Sequence, residues 1–403
     1  MRQIGRRWEG WRLDKILTVE LSGRNDTYAV AQLPLTPYEL LDTLDKLRMT
    51  PRDEPEWEIL AYHDYAELRD WIGSGSAYEL NALCTRFSEL NGKEQLAFEG
   101  LVQMDKDKGL KIIPMHRLLD LAYSTGQCHL LEDVHNLDQL GRFAVENGFV
   151  PEAGHLPDEA FELLDFKRIG ERFMRDEGGV IVKGGYVAQD GDLARDVWKT
   201  LELTPREPDY AVLVELGVMD TDRAALLKLP APPAELDAAL DRVEAETWDE
   251  ITYRCADCRV PALRDAITLA DNIAQANRAA VYLARLPEQD VPKYKALISA
   301  LGITELHDAL ELTERLDEYL LAPEHTSYED AARSELRFML GDEGYETLLP
   351  YVNLYQYGKA LQEKYRFALT DYGSVERADG QPMLAQDQLK TGEMEMTQGV
   401  MTM

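Results

Sequence analysis

The chain has 403 residues, 45% of them hydrophobic, with Lys+Arg 43 against Asp+Glu 74 and a net charge of −31. That length suits about two to four compact domains with real cores, and the acidic excess repels DNA, RNA and anionic membrane while suiting a basic partner. No apolar run approaches the ~18 residues of a membrane span, and 4 cysteines do not make a disulfide framework, so the expectation is a soluble cytoplasmic protein.

Residues 1–16 form a basic segment broken by Glu9 and Asp14, without the apolar stretch of a secretory signal. Alternation at Leu17, Val19, Leu21 and then Tyr28, Val30 predicts two short strands joined by the turn-rich Ser22-Gly23-Arg24-Asn25-Asp26. Pro37 then opens a helix, with Thr36 as cap and Glu39 in the first turn. Leu40, Leu41, Leu44 and Leu47 supply its apolar stripe. A strand from Trp57 to Tyr62 is followed by several short helices between Leu80 and Phe149. A helix from Phe166 to Arg175 and a glycine-punctuated hairpin, Gly178 to Val187, close the unit.

The same order of features recurs. Val19-Glu20-Leu21 matches Val214-Glu215-Leu216, Leu33-Pro34 matches Leu229-Pro230, and Pro37, Glu39, Leu40, Leu44 and Asp45 match Pro233, Glu235, Leu236, Leu240 and Asp241. Further on, Glu58-Ile59 aligns with Glu250-Ile251, and Phe87, Leu90, Phe98, Leu101 and Val102 with Leu283, Leu286, Tyr294, Leu297 and Ile298. His116, Leu119 and Leu121 align with His307, Leu310 and Leu312. Leu130-Leu131 and His135 align with Leu320-Leu321 and His325, and Gly170 with Gly358. The reading is a tandem duplication of one α+β unit: 17–190 the first copy, 191–209 a linker, 210–376 a divergent second copy and 377–403 a flexible tail. Each copy combines a small β-sheet with helical subdomains.

Chemistry-bearing motifs are sparse. Cys255 and Cys258 form a lone C-x-x-C without the second ligand pair that zinc needs, and read as small apolar residues in a strand or turn. The seven histidines show no H-E-x-x-H spacing, and His116 and His307 read as helix starts. Gly178-Gly179 and Gly184-Gly185 lack the phosphate-loop pattern and suit a tight hairpin. The expectation is a non-enzyme with no cofactor and no metal.

Carboxylates, by contrast, recur in clusters. Asp53, Glu54, Glu56 and Glu58 form one run; Asp64, Glu67 and Asp70 follow at three-residue spacing; Glu132, Asp133 and Asp138 form another. Glu146 is followed by Asp158, Glu159, Glu162 and Asp165, and the second copy carries Glu235, Asp237, Asp241, Glu244, Glu246, Asp249 and Glu250. Any one cluster reads as a solvated face. Their recurrence, against mutual repulsion, makes the set the candidate partner-binding surface. Duplex DNA carries one charge per ~1.7 Å, so a charge of −31 along one face would match roughly 50 Å of duplex.

Residues 140–187 resemble the C-terminal region of the ArdA antirestriction family. The resemblance lies in Val145-Glu146-Asn147-Gly148, Leu156-Pro157, Leu164-Asp165-Phe166, Ile169-Gly170 and Gly185-Tyr186-Val187. Upstream, Tyr62-His63-Asp64-Tyr65 and Leu80-Asn81-Ala82-Leu83, on to Leu90 and Glu94, are similar to the family as well. Glu171-Arg172 departs from the family's usual R-D, and the second copy lacks the V-E-x-G segment and the double glycine. The resemblance implies an elongated α+β DNA mimic that occupies the DNA-binding groove of type I restriction–modification enzymes and protects a mobile element. It implies no direct binding to nucleic acid or membrane, and either a homodimer or a pseudo-dimer within one chain. The alternative from composition alone is a non-catalytic acidic scaffold or assembly factor of a mobile element that binds another basic protein.

Overall fold

A computed structural model describes residues 14–24, 27–219, 221 and 223–383. The fold is α+β, with four three-stranded antiparallel sheets among helices. Residues 1–13 of the basic segment and residues 384–403 of the expected tail lie outside the described residues.

In the first half, β1 (Leu17–Ser22) is the centre strand, flanked by β2 (Tyr28–Leu33) and β3 (Glu56–Ala61) in the order β2-β1-β3. Leu17, Val19 and Leu21 all point into the core, as period-2 alternation requires. Packing extends upstream of β1: Ile16 is buried and its N–H bonds the Leu33 carbonyl at 2.7 Å, and Lys15 donates to the Pro34 carbonyl at 2.7 Å. Helix α1 (Pro37–Lys46) is nucleated by a full capping box, Thr36 with Glu39, and Pro37 fixes the first helical φ. Helices α2 (Ala77–Glu89) and α3 (Gly92–Asp107) start at the same device, Ser76 with Glu79 and Asn91 with Glu94. With α4 (Met115–Ala122) they cover the sheet around Leu83, Phe87, Phe98 and Leu118.

A second sheet follows, β4 (Cys128–Leu131), β5 (Val180–Val182) and β6 (Gly185–Gln189), in the order β4-β6-β5. Against it cross α5 (Leu137–Glu146) and α7 (Phe166–Glu177), with the short α6 (Asp158–Phe161) between them. Gly141 and Gly170 set the crossing distance: a Cβ on Gly170 would lie 2.0 Å from the Leu137 carbonyl oxygen. The expected strand 57–62 and helix 166–175 thus shift by one and two residues at their ends.

The second half follows the same plan. β7 (Val212–Val218), β8 (Ala224–Leu229), α8 (Pro233–Arg242) and β9 (Ile251–Cys258) give the order β8-β7-β9. Then come α9 (Arg264–Thr268), α10 (Ile273–Arg285), α11 (Val291–Leu301) and α12 (Leu306–Leu312). β10 (Tyr319–Ala322), α13 (Tyr328–Leu348), α14 (Leu354–Tyr365), β11 (Ala368–Thr370) and β12 (Gly373–Arg377) finish in the order β10-β12-β11. Details repeat too. Asn81 brackets the backbone of Leu35 at 2.7 and 3.1 Å, and Asn277 brackets Ala231 at 2.8 and 2.9 Å. Gly358 meets the Tyr328 carbonyl oxygen as Gly170 meets that of Leu137.

Sheet register corrects two of the sequence alignments. Glu20 pairs with Glu58 across β1–β3, and Glu215 pairs with Arg254 across β7–β9, so Glu58 corresponds to Arg254 rather than to Glu250. The Glu-Ile pair at 250–251 lies four residues upstream, where β9 only begins. Likewise Leu131 and Ala322 hold the same place opposite Tyr186 and Ser374. The N–H of Val134 bonds Leu131 as that of His325 bonds Ala322. His325 therefore matches Val134, not His135. A one-residue slip of this kind exchanges the two faces of a strand.

The segment expected as a linker is packed on the first half. Asp120 accepts from the N–H groups of Asp196 and Val197 at 3.2 and 2.9 Å, and Ser124 Oγ from that of Ala194 at 2.8 Å. Leu193, Trp198, Leu201 and Leu203 lie on the first core. At the other end, β12 includes Arg377, and Met383 packs on the second core. Order thus extends past residue 376.

The two halves meet at α1, which is buried on two faces. Leu40, Leu44 and Leu47 pack inside the first half, while Tyr38 and Asp42 face the second. Lys295, 4% exposed, bonds Asp42 at 2.9 Å and Asp45 at 2.8 Å. Tyr372 donates its hydroxyl to Asp42 at 2.8 Å. At the other end of α1, Asp257 accepts from Thr36 Oγ1 at 2.6 Å and from the Tyr38 N–H at 3.3 Å. A carboxylate from the second half thus sits at the positive end of the helix dipole. Arg264 reaches back to Glu39 at 2.8 Å.

Burial pushes the Asp42 carboxyl up, but Lys295 and Lys46 outweigh it and hold it below its ordinary range. At Asp45 burial wins over the pull of Lys295, and the pKa is raised. Burial pulls the Lys295 ammonium down, yet Asp42 and Asp45 together outweigh it and the pKa is raised. The lowered Asp42 pKa contributes stability that is present above about pH 4 and lost as pH falls through the lowered value. The raised Lys295 pKa contributes stability that is present below about pH 10 and lost only as pH rises through the raised value. Lys295→Met strands two buried carboxylates, and at pH 7 it is expected to cost about 3–5 kcal/mol in urea unfolding. That deficit should shrink as pH falls toward about 4, because without Lys295 burial raises both carboxyls and they take up protons above their ordinary range.

Candidate partner-binding surface

The acidic clusters resolve into three runs with one feature in common. Between Asp53 and Asp70, Arg69 is the one Lys or Arg; between Glu132 and Asp165 it is Arg142; between Glu235 and Glu250 it is Arg242. In each run that cation is engaged by a ring or a backbone carbonyl. Arg69 lies over the Tyr62 ring at 5.1 Å and Arg142 over the Phe166 ring at 4.3 Å. Arg242 donates to the Leu226 carbonyl at 3.0 Å. The runs therefore keep their charge.

Nearly all the carboxylates singled out in sequence are exposed: Glu54, Glu56, Glu58, Asp64, Glu67 and Asp70 in the first run, and Glu132, Asp133, Asp138, Glu146, Glu162 and Asp165 in the second. Glu235, Asp237, Asp241, Glu244, Glu246, Asp249 and Glu250 are exposed in the third. The side chains of Asp158 and Glu159 lie outside the described residues. Three members are paired from outside their runs: Asp53 with Arg24 at 2.7 Å, Glu132 with Lys93 at 2.6 Å and Glu244 with Arg223 at 2.8 Å.

Three carboxylates serve local structure as well. Asp53 is half-buried and accepts from the N–H and hydroxyl of Thr50, both at 2.8 Å; those bonds first, and Arg24 after them, hold its pKa below the usual range. Asp165 caps α7 by accepting from the Arg168 N–H at 3.1 Å. Glu250 closes a capping box on Thr247. Asp53 in particular is a turn-former more than part of an open surface.

The outer face of the first sheet sets acid against acid. Glu20 lies directly opposite Glu58, and Ser22 opposite Glu56. Like charges in register on neighbouring strands repel. At the same place in the second half Glu215 faces Arg254 and is paired with it at 2.6 Å. Next to them Lys228 takes the position that Gln32 has in the first half. So one sheet face is neutralised and its twin stays acidic. Sequence reading missed Glu20 because the misplaced pairing of Glu58 with Glu250 hid the contrast; the alternation of β1 alone puts Glu20 on the outer face.

Other motifs fall in ordinary places. Cys255 and Cys258 are buried in β9, and the Cys255 thiol donates to the Asp257 carbonyl at 3.3 Å. His116 and His307 are exposed in the first turns of α4 and α12. Gly185 adopts φ 144° where β6 leaves its hairpin, close against the Leu131 carbonyl. Among the described residues no group of three or more His, Cys, Asp or Glu is arranged to hold a metal ion, and no helix is long and apolar enough to cross a membrane.

No protein-family model matches this chain, and no curated protein matches it. The reading of the surface therefore rests on its own residues. Glu58→Arg would copy the Glu215–Arg254 pair onto the first sheet. It is expected to raise stability by about 0.2–1 kcal/mol in urea unfolding, a gain that saturating salt should erase.

Proposed function

We propose that this protein is an acidic DNA mimic, a tandem duplication that occupies the DNA-binding groove of a host defence enzyme and so protects a mobile element. Type I restriction–modification enzymes are the first candidates, in keeping with the antirestriction resemblance of residues 140–187. One observation carries the reading: three acidic runs stay exposed and largely unpaired while the lone arginine in each is engaged by a ring or a backbone carbonyl.

The physical argument is one of repulsion held in store. Exposed like charges destabilise the free protein slightly, and a Lys/Arg groove relieves them. Such grooves bind phosphates largely without reading sequence, so carboxylates at similar density compete for the same cations. Binding releases counterions from both surfaces, which makes it strongly salt-dependent. The same charge disfavours direct contact with nucleic acid or anionic membrane. With two halves joined rigidly through α1, the chain acts as a pseudo-dimer.

The test is displacement of a labelled duplex from a purified type I restriction–modification complex, read by fluorescence anisotropy. Wild type is expected to displace DNA at 50 mM salt and to weaken by at least about tenfold at 200 mM. Glu54→Lys/Glu56→Lys/Glu58→Lys and Glu235→Lys/Asp237→Lys/Asp241→Lys should each cost at least about tenfold, with unfolding midpoints not lowered. Displacement that is unchanged in both triple variants would sink the proposal. No displacement by wild type, with retention of a basic protein of the mobile element instead, would replace it with the scaffold reading.

A further inference from the structure

The two halves differ most where the terminal sheet meets its helix pair. In the first half Tyr186 and Ala188 of β6 face α5 and α7 and are fully buried there, with Phe143 and Phe173 packed around them. The Tyr186 hydroxyl donates to Glu177 at 2.5 Å. Phe149 closes the cluster, 6.0 Å from Phe143 and 5.2 Å from Phe173 between ring centres.

Sheet register and the shared glycine crossing identify the second-half counterparts. Ser374 stands in the place of Tyr186 and Glu376 in that of Ala188. Along α13 and α14, counted from the contact of Gly358 with Tyr328, Ser334 replaces Phe143 and Leu361 replaces Phe173. Three aromatic rings are thus lost from one small core and one is gained: Phe367 stands at the place of Gly179, where a Cβ would point into the Tyr186 ring, and it is buried against Ala331 and Leu361. The helices have not closed over the loss, because Gly358 still meets the Tyr328 carbonyl oxygen as Gly170 meets Leu137.

What remains is a cavity of about 540 Å³ between β12 and the helices. That lies inside the range of ~300–1,000 Å³ typical of small-molecule sites. Leu321, Leu361 and Phe367 form apolar walls and the exposed Phe338 stands at the rim. The polar groups are all acidic or neutral: Glu335, Glu376, Ser374 and His325 line the space, and no Lys or Arg does. His325 bonds Ser374 Oγ through Nδ1 at 3.2 Å, while its Nε2 is buried without a hydrogen-bond partner among the described residues. Burial holds the Glu376 carboxyl above its ordinary range, against the pull of His325.

We propose that this cavity binds a small aromatic ligand bearing a cationic amine, with the ring beside Phe367 in the space that Phe143 fills in the first half and the amine against Glu376 and Glu335. The first half shows that this architecture accepts a phenol ring stacked between the sheet and both helices. An apolar space left by a missing core side chain takes up small aromatic molecules. The two carboxylates select the charge: they attract an ammonium and repel a carboxylate-bearing ring. The site is separate from the acidic runs and does not depend on the DNA-mimic reading.

The experiment is calorimetric titration of the full chain with tyramine, p-cresol and 4-hydroxyphenylacetate. Saturable tyramine binding with a Kd below about 1 mM is expected, with p-cresol at least tenfold weaker and 4-hydroxyphenylacetate weaker still. Glu376→Gln should cut tyramine affinity about tenfold and leave p-cresol unchanged, as a lost charge contact does. Ser334→Phe refills the space from the helix and should abolish binding of all three ligands while thermal unfolding stays at or above the wild-type midpoint. Absence of saturable tyramine binding to wild type overturns the proposal. So does unchanged tyramine binding in Ser334→Phe or in Glu376→Gln. Equal affinity for tyramine and p-cresol overturns the cationic selection.

Discussion

A buried ammonium holds this molecule together. Lys295 lies between Asp42 and Asp45 with Tyr372 completing the shell, and α1 cannot leave the second half without exposing or stranding those charges. Such a cluster is a poor source of net stability, since desolvation offsets most of its attraction, but it is strict about geometry. Its strictness extends to what the chain does not build. On α8 the positions of Asp42 and Asp45 are taken by Ala238 and Asp241, both exposed, and the counterpart of Lys295 on α3 is Glu99. Repeating the same packing with another chain would set Asp241 against Glu99. Like charges there oppose head-to-tail extension.

Acidic residues consequently do two opposite jobs. Asp42, Asp257 and Glu215 are buried and matched by a cation or by several donors. The three surface runs are exposed and mostly unmatched, their single arginines engaged by a ring or a backbone carbonyl. Counting carboxylates does not separate the two classes. Separation comes from the second face of α1 and the outer face of β1, which are defined only when the sheets are paired.

The two halves differ in two matching places. The first keeps the acidic sheet face, with Glu20 against Glu58, and a filled aromatic core around Tyr186. The second pairs Glu215 with Arg254 on its sheet face, while Lys228 is held by Asp209, and it has Ser374 and Ser334 where the first core has Tyr186 and Phe143. Both changes are tolerated because the scaffold contacts, the asparagine brackets at Asn81 and Asn277 and the glycine crossings at Gly170 and Gly358, are retained. A fold secured by backbone contacts can lose side-chain packing locally without losing its plan.

Local rules were enough for the α+β class, the strand–turn–strand at Leu17 to Leu33 and the start of α1, because alternation and the Thr36–Glu39 capping box act within a few residues. They were also enough for the recurrence of the same elements from Val212 onward, since matched spacing survives divergence. They did not place Glu58 opposite Glu20 or His325 in the turn of Val134; short repeats such as Glu-Ile and Leu-Leu align equally well one turn or one residue away, and only hydrogen-bond register removes that freedom. Nor could they show that Asp42 is interior and Asp45 half-buried against Lys295 while Asp237 and Asp241 are exposed. Those residues occupy similar helices with similar neighbours in sequence, and the difference is made by a lysine some 250 residues away, brought to α1 by the packing of one half against the other.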